Sequence, residues 1–451
     1  MPERRQVRVS RSLEGEGERP ATGYGEPEAG AGPTQRTSGA GELMASETLA
    51  PRGAAAKLST VRYNHGMYPM NTNARPSSDD FARGLAGIVA GRTAICSLEG
   101  DLRYRGYAIE PLARAGDFEE VAYLLLHGEL PTRVERDAFA TRVHAAARTL
   151  DPGVIDALAR LAVTCPSASP MDALRTGVSM LGQIERDVLP GPREALLGQA
   201  ESLLGQVPSL LAAWCDLAAG RPVGPWPDGP IASALLQRLT GHMPSADHVA
   251  IFGTTLVLYA EHEFNASTFT ARTIVSTGSD MHSGIAGAIG ALKGPLHGGA
   301  NEQVLEVLAA IGSADRAEAW LEEQFAAKRV VMGFGHRVYK DGDVRAKLLG
   351  AMCRAMNSGK PAAQSLEQLA DRVEALMLDR KKLKPNLDWP AARVYHALGL
   401  PVSVFTPIFV VARMSGWTAH IIEQIGDNRL IRPLSLYCGP TPRDYVPLQS
   451  R

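Results

Sequence analysis

Apolar residues recur every three or four positions along most of this chain, and this periodicity limits the possible folds more than any other feature. From about Gly84 to the carboxyl terminus, Leu, Ala and Glu dominate the sequence. A spacing of three and four places apolar side chains on one face of an α-helix. The alternation of strands and helices that indicates a parallel sheet is not visible. The pattern therefore predicts a mainly α protein of many packed helices.

Local signals mark where several helices begin. Thr132 precedes Glu135 by three residues, the spacing of a capping box. Asp151-Pro152 and Ser169-Pro170 each place a side-chain acceptor before a proline at the first helical position. Ser245 opens a further helix. These signals predict four helix starts.

Three other segments carry structural information. Thr406-Pro407 opens a helix that runs to about Gln424, with Gly426 as its stop. Small residues between positions 279 and 292 allow another helix to approach closely. Residues 92–97 and 102–105 flank a turn, and they predict one small β-hairpin near the start of the folded region.

Composition excludes several classes of protein. Lys plus Arg total 47 and Asp plus Glu total 48, so the net charge of -1 gives no reason to expect a nucleic-acid or anionic-membrane partner. No run approaches the ~18 apolar residues that span a bilayer. Five scattered cysteines without a CxxC pair argue against disulfides and thiolate zinc sites. They fit a reducing, cytoplasmic location.

The amino-terminal region differs from the rest of the chain. Residues 1–57 contain nine Gly and five Pro and show no apolar periodicity. This composition predicts a disordered leader over residues 1–60. The alternative is a misassigned start, with Met44 as the initiator. The chain length predicts two or three domains, at ~100–200 residues each.

Two histidines lie at breaks between helices, beside glycine. His297 stands in Gly-Pro-Leu-His-Gly-Gly, just before a new helix near Ala300. The positive end of a helix dipole disfavours an imidazolium, and a neutral imidazole can donate a hydrogen bond to a developing oxyanion. His336 follows the loop Gly333-Phe-Gly335. The exposed backbone of such a loop can bind a planar ring or a phosphate, although a lone G-x-G is weak evidence.

Two other residues lie at helix ends. His262 ends the helix that begins at Ser245. Asp388 lies beside Pro390 at a helix start, where a carboxylate is expected to stay ionised near neutral pH. An ionised carboxylate in a cleft is a candidate general base.

Three arginines suggest an anionic ligand. Arg345 follows the His336 loop, Arg413 lies among apolar neighbours, and Arg432 follows the last long helix. A guanidinium buried among apolar side chains needs an anionic partner. Arginines and histidines together favour a di- or tricarboxylate, which guanidinium groups bind in a bidentate fork.

Each candidate has an ordinary structural alternative. Asp388 can serve as a helix cap, Arg413 can pair with Glu423 or another acid, and Arg432 can be a solvated surface charge. The loop over residues 330–334 can be a simple turn, and any one histidine can be a packing or surface group. The three histidines are 35 and 39 residues apart, so no metal site is expected.

Together these segments resemble the citrate synthase family. The resemblance rests on Gly-Pro-Leu-His297-Gly-Gly-Ala-Asn-Glu, Gly-Phe-Gly-His336-Arg-Val-Tyr-Lys and Pro-Asn-Leu-Asp388 in this order, and it runs from about Gly84 to the carboxyl terminus. Residues 258–272, the segment Phe405-Thr-Pro-Ile-Phe and the tail Tyr445-Val-Pro-Leu-Gln look most like the 2-methylcitrate synthase branch. The His336 loop looks equally like ordinary bacterial citrate synthases.

The resemblance implies roles for the candidate residues. His297 would polarise the thioester carbonyl, Asp388 would remove the α-proton of the acyl-CoA, and His336 would protonate the ketone oxygen of oxaloacetate. The groups implied to hold the oxaloacetate carboxylates are His262, Arg345, Arg413 and, from the partner subunit, Arg432. The backbone implied to contact the adenine of CoA is that of Val330, Val331, Met332, Gly333 and Phe334. No cofactor is implied, because the CoA thioester is itself a substrate.

One position departs from the family pattern. The family often has Asp-Pro-Arg where this chain has Asp343-Val344-Arg345. Loss of the proline frees the local φ angle. We therefore expect a looser Arg345 and a modest effect on oxaloacetate affinity.

The resemblance also implies an architecture and an activity. A large helical domain over residues 61–298 and 400–451 would hold a smaller inserted helical domain over residues 299–399, in a homodimer. The expected reaction is a Claisen-type condensation of propionyl-CoA with oxaloacetate and water, with acetyl-CoA as the alternative substrate. An alternative of another class is a catalytically silent protein that senses CoA or carboxylates.

Overall fold

Helices dominate the structure, as the periodicity predicts. The computed structural model describes residues 83–85, 87–115, 117–185, 191–336, 338–339 and 341–451, so the predicted leader over residues 1–60 lies outside the described part. Within these ranges the α-helices are α1 Ile109–Ala115, α2 Phe118–His127, α3 Arg133–Ala147, α4 Pro152–Thr164, α5 Pro170–Ile184, α6 Arg193–Ala218, α7 Ile231–Thr240, α8 Ala246–Tyr259, α9 Ala266–Ser276, α10 Met281–Leu292, α11 Ala300–Ile311, α12 Ala317–Ala326, α13 Val344–Asn357, α14 Pro361–Lys381, α15 Asp388–Ala397 and α16 Phe405–Gly426.

The predicted hairpin is present and is extended by one strand. The strands β1 Cys96–Ser97, β2 Arg103–Tyr104 and β3 Tyr107–Ala108 pair antiparallel in the order β1-β2-β3. Arg105 and Gly106 both have positive φ angles, the geometry of a tight two-residue hairpin turn. The sequence prediction missed β3 because two residues are too short to show alternation.

The predicted helix starts are confirmed by their capping contacts. Thr132 and Glu135 form a reciprocal capping box at α3. The side chains of Asp151, Ser169 and Ser245 each accept a hydrogen bond from a first-turn N–H of α4, α5 and α8. These caps are specified locally, by residues within three positions of the helix start.

Helix α16 runs through the core. It begins at Phe405, one residue before the predicted start, and packs against α2, α6, α8, α9 and α10. In the described part of the chain, the segment Val402–Gly426 is the one that is long and apolar enough to cross a membrane, but 89% of its most apolar window is buried inside the protein. Helix α9 approaches α10 closely, as the small residues of α10 predict, because a Cβ at Gly287 would overlap Ile274 on α9.

Helices α11 to α15 pack largely on one another, with α15 lying against α8, α11 and α13. The described residues from 83 onward form one compact unit by their contacts. The boundaries at 298/299 and 399/400 between a large and an inserted domain stay predictions. The packing of α15 against α8 brings the start of α15 beside the end of α8, where the functional candidates lie.

Candidate active site

One large cavity brings most of the candidate residues together. Its volume is about 1160 Å³, and its wall is built from segments that are far apart in the sequence. The candidates that line it are His262, His297, His336, Arg345, Asp388, Arg413 and the whole loop Val330, Val331, Met332, Gly333 and Phe334. Arg432 does not line it and is exposed on the carboxyl-terminal tail.

A tight turn between α10 and α11 presents His297. The backbone N–H of Gly298 donates to the carbonyl oxygen of Leu292 at 3.0 Å, which folds the chain back on α10. A Cβ at Gly298 would overlap that same carbonyl group, so the turn requires glycine at this position. His297 is therefore held just before the amino end of α11, as the sequence predicts.

Hydrogen bonds define the tautomer of His297. Its Nε2 accepts from the backbone N–H of Ser267 at 3.3 Å and lies 2.8 Å from the hydroxyl oxygen of Ser267. The hydroxyl oxygen of Ser267 in turn accepts a hydrogen bond from the indole N–H of Trp417 at 3.1 Å. Since Nε2 is an acceptor, a neutral ring carries its hydrogen on Nδ1. Burial, with help from the Arg413 charge, lowers the pKa of His297 to about 4 and keeps the ring neutral.

Asp388 is the first residue of α15, and its side chain is half-buried at the cavity wall. The Tyr259 hydroxyl donates to its Oδ1 at 2.6 Å, and its own N–H donates to the side chain of Asn386 at 3.1 Å. Burial raises the pKa of Asp388 to about 6, although the Tyr259 hydrogen bond opposes this shift. The group still ionises at neutral pH, but burial outweighs the stabilising helix dipole that the sequence suggested. Because its side chain makes no capping hydrogen bond, the helix-cap alternative is wrong.

Two further imidazoles contact each other edge to face at the cavity wall. The ring centres of His262 and His336 are 5.1 Å apart. Nδ1 of His336 accepts from the backbone N–H groups of Val338 and Tyr339, so a neutral His336 carries its hydrogen on Nε2. Burial and the Arg345 charge lower the pKa of both histidines. His262 Nε2 contacts the Tyr339 hydroxyl at 3.0 Å.

Asp343 holds Arg345 in place. The carboxylate of Asp343 accepts from Nε and Nη2 of Arg345 at 3.0 and 2.8 Å, and it also caps α13. The side chain of Arg345 is buried, and this ion pair raises its pKa. The structure therefore does not show the looser Arg345 that Val344 suggested. The effect on oxaloacetate affinity stays a prediction.

Arg413 is 2% exposed, and no carboxylate of the part of the chain that the structure describes forms an ion pair with it. Its Nε donates to the backbone oxygen of Tyr259 at 2.7 Å, while its Nη1 is buried with no hydrogen-bond partner among the described residues. The alternative of an ion pair with Glu423 is wrong, because Glu423 pairs with Arg272 at 2.7 Å. A buried guanidinium with an unpaired N–H that lines a cavity is suited to bind an anion.

The sequence reasoning gave no role to several residues of the site. They are Tyr259, Asn265, Ser267, Tyr339, Asp343 and Trp417, which contact the candidates described above. Tyr259, Asn265 and Ser267 lie within five residues of His262 in the sequence, and this proximity could have identified them. His420, which was treated as a packing or surface residue, is fully buried between Glu261 and Arg272. No cluster of three or more metal-ligating side chains occurs in the described ranges.

Known proteins share both this sequence and this fold. The family model described as "Citrate synthase, C-terminal domain" matches residues 84–434. Citrate synthase 2 of Bacillus subtilis is 43% identical over 371 residues, which cover 82% of this chain and 99% of that protein. The 2-methylcitrate synthase 2 of Corynebacterium glutamicum is 43% identical over 387 residues, which cover 83% and 99%. This chain belongs to the citrate synthase family.

Solved structures agree with this assignment. The citrate synthase of Thermoplasma acidophilum, in a ternary complex with carboxymethyl coenzyme A and oxaloacetate, has a TM-score of 0.78 at 30% identity and covers 82% of this chain and 100% of that one. The enzyme of Thermotoga maritima has a TM-score of 0.73 at 35% identity, covering 82% and 99%. The predicted fold class is confirmed, and the chain is an acyltransferase of the class that condenses an acyl-CoA with oxaloacetate.

The raised pKa of Asp388 predicts a pH-dependent gain in stability for Asp388→Asn. The pKa of the Asp388 carboxyl group is 3.8 in the unfolded chain and about 6 in the folded protein, so the folded state holds the proton more tightly. The free energy of unfolding therefore falls as the pH rises through this range. The variant cannot ionise, so its gain in stability over the wild type is larger at pH 8 than at pH 5, by about 1 kcal/mol. Calorimetric Tm values at both pH values measure this gain. The exposed Asp371→Asn is the control, and an equal Tm gain at both pH values contradicts the raised pKa.

Proposed function

We propose that this enzyme prefers propionyl-CoA and produces 2-methylcitrate, with acetyl-CoA as a second substrate. Two of the segments that resemble the 2-methylcitrate synthase branch, residues 258–272 and 405–409, meet at the cavity wall. There the rings of Tyr259 and Phe409 are 4.3 Å apart, and both line the cavity. This apolar wall borders Asp388 and His297, where the acyl methyl group of the substrate lies. The meeting of these segments is the observation that supports the branch.

Asp388 and His297 act together on the acyl-CoA. Asp388 removes a proton from the α-carbon, and the Nδ1–H of His297 donates a hydrogen bond to the thioester oxygen as negative charge develops there. A neutral, buried donor suits this role because it stabilises the oxyanion in a site with little water. The hydrogen bond from Tyr259 holds the Asp388 carboxylate at the cavity wall. A pKa of about 6 keeps Asp388 ionised at neutral pH yet basic enough to accept the proton.

His336 completes the condensation. The α-carbon of the enolate forms a bond to the ketone carbon of oxaloacetate, and the Nε2–H of His336 protonates the ketone oxygen. Support comes from the backbone N–H groups that occupy its Nδ1 and leave the hydrogen on Nε2. Water then hydrolyses the new thioester: it returns a proton to His336 and adds its hydroxide to the carbonyl carbon, while Asp388 gives the proton that it took to the departing CoA thiolate. The CoA thioester is a substrate, and the proposed reaction needs no further cofactor.

The oxaloacetate carboxylates bind to His262, Arg345 and Arg413. The unpaired Nη1 of Arg413 and the cavity-facing position of all three support this role. Two guanidinium groups and neutral imidazoles offer many N–H donors to a dianion. The balanced net charge of the chain therefore includes a local excess of positive charge at this cavity.

The loop Val330, Val331, Met332, Gly333 and Phe334 binds the adenine end of CoA. Val330 is 79% exposed, Met332 is half-buried, and the loop lines the cavity, so a planar ring can reach the loop at these two positions. A Cβ at Gly333 would lie 2.8 Å from Trp389, so this backbone conformation requires glycine.

The enzyme acts as a cytoplasmic homodimer in which Arg432 reaches the partner's site. Arg432 lies on an extended tail whose large apolar side chains are exposed, for example Leu434 at 85% and Tyr437 at 76%. A second copy of the chain would cover them and bring Arg432 to its cavity. All five cysteines are free thiols, which supports the cytoplasmic location.

The substrate test measures free CoA thiol with oxaloacetate and either propionyl-CoA or acetyl-CoA. We expect thiol release with both and a kcat/KM ratio that favours propionyl-CoA. An apolar pocket discriminates one methylene group by about 10–200-fold at most. A higher kcat/KM for acetyl-CoA identifies a citrate synthase instead. No thiol with either substrate contradicts the proposed activity and favours the silent sensor.

Asp388→Ala tests the general base. We expect kcat to fall by about 10²–10⁴-fold, because the other carboxylate among the described lining residues, Glu263, lies on the turn between α8 and α9 and would not take the place of Asp388. Oxaloacetate still binds, which calorimetric titration measures, since its proposed ligands are unchanged. The control is Asp371→Ala on the exposed face of α14. Turnover like that of the wild type would remove Asp388 from this role.

Mixed dimers test the role of Arg432. Arg432→Ala and Asp388→Ala subunits are each expected to form nearly inactive dimers. After the two are unfolded and refolded together, a hybrid dimer contains one intact site only if Arg432 acts across the interface. The mixture then regains roughly a quarter of wild-type activity. No regain contradicts the proposal, and Arg443→Ala on the same tail is the matched control.

A further inference from the structure

The base Asp388 and the loop over residues 330–334 share one support, the indole ring of Trp389. Trp389 follows Asp388 in α15 and is fully buried. Its ring centre lies 4.6 Å from that of Phe334, and a Cβ at Gly333 would contact its Cε3. A shift of this ring would therefore move both the loop and the start of α15.

Backbone hydrogen bonds make the same connection. The N–H of Asn386 donates to the oxygen of Gly333 at 2.9 Å, and the N–H of Gly335 donates to the oxygen of Lys384 at 2.9 Å. The side-chain amide of Asn386 spans from the oxygen of Gly335 to the N–H of Asp388. The loop and the residues before α15 thus form one hydrogen-bonded unit that rests on Trp389.

One side chain outside the cavity orients this indole ring. Glu374, in the middle of α14, accepts the hydrogen bond of Trp389 Nε1 at 2.8 Å through its Oε1. The same oxygen lies 3.5 Å from Nη2 of the buried Arg393, one turn further along α15. Arg393 is also held by Glu367 at 3.1 Å, so the Glu374 contact is not its sole ion pair. Glu374 itself does not line the cavity.

We propose that Glu374 is a positioning residue that acts through the Trp389 indole to place both the base Asp388 and the CoA-binding loop. This inference rests on the roles proposed above for Asp388 and for residues 330–334. Oxaloacetate binding is expected to change less, because its proposed carboxylate ligands His262, Arg345 and Arg413 lie on other elements. Loss of Glu374 therefore affects mainly kcat and the KM for acyl-CoA, while the KM for oxaloacetate changes less.

Steady-state kinetics of four variants test this role. We expect Glu374→Ala to lower kcat about tenfold and to raise the KM for acyl-CoA about threefold, since small displacements of reacting groups are costly. Glu374→Gln keeps a carbonyl acceptor for the indole N–H and should restore most of kcat. Trp389→Phe keeps the ring but removes that N–H, so it should reproduce the Glu374→Ala values. Asp371→Ala, which removes an exposed acid from the same helix, is the matched control.

The double variant of Glu374→Ala and Trp389→Phe decides whether the two residues act as one unit. If they do, its kcat is no lower than that of either single variant. Multiplied losses, or a Glu374→Ala variant with a lower Tm but normal kcat and KM, overturn the inference. Failure of the proposed function itself is distinguishable, because the wild type would then release no CoA.

Discussion

Burial of ionisable groups is the physical constraint on which the site depends. In the same cavity, burial moves the pKa of His297 down to about 4 and that of Asp388 up to about 6. These opposite shifts have one cause, since a poorly solvated environment disfavours whichever form is charged. They leave a neutral hydrogen-bond donor beside a moderately basic carboxylate at neutral pH. Arg413 lies in the same environment with its Nη1 unpaired among the described residues, and this is the condition under which an anionic substrate binds well.

A second set of side chains holds these groups in place. Tyr259 donates a hydrogen bond to Asp388, the N–H of Ser267 donates one to Nε2 of His297, and Asp343 forms an ion pair with Arg345. None of the three requires a change in charge during the proposed reaction. Each uses hydrogen bonds to select one orientation or tautomer, which lowers the reorganisation that the reacting groups need. A similar contact adjoins His262 in the sequence, where the buried side chains of Glu261 and His420 form a hydrogen bond.

Sequence reasoning predicted the local features and the identities of the cavity residues, but not their partners. Thr132, Asp151 and Ser169 cap helices through contacts within three residues, so their sequence neighbourhood contains the whole cause. The Tyr259–Asp388 hydrogen bond joins residues that are 129 positions apart. Only the packing of α15 against α8 brings them together, and the raised pKa of Asp388 follows from that packing. The dipole argument gave the right ionisation state for Asp388 at neutral pH, but it missed the raised pKa because it counted the helix and not the burial.

The two proposed substrates differ in how sharply this site selects them. When a site presents buried N–H donors to carboxylates, a ligand without carboxylates leaves those donors unpaired. Such a site discriminates between the two ligands by as much as about 10⁴–10⁵-fold. The wall of Tyr259 and Phe409 offers only contact to an alkyl group, where one methylene changes selectivity by far less. Oxaloacetate recognition is therefore strongly constrained by the arginines and histidines. Acyl-chain preference depends on small changes in the shape of an aromatic wall, which explains how relatives equally similar to this chain carry both enzyme names.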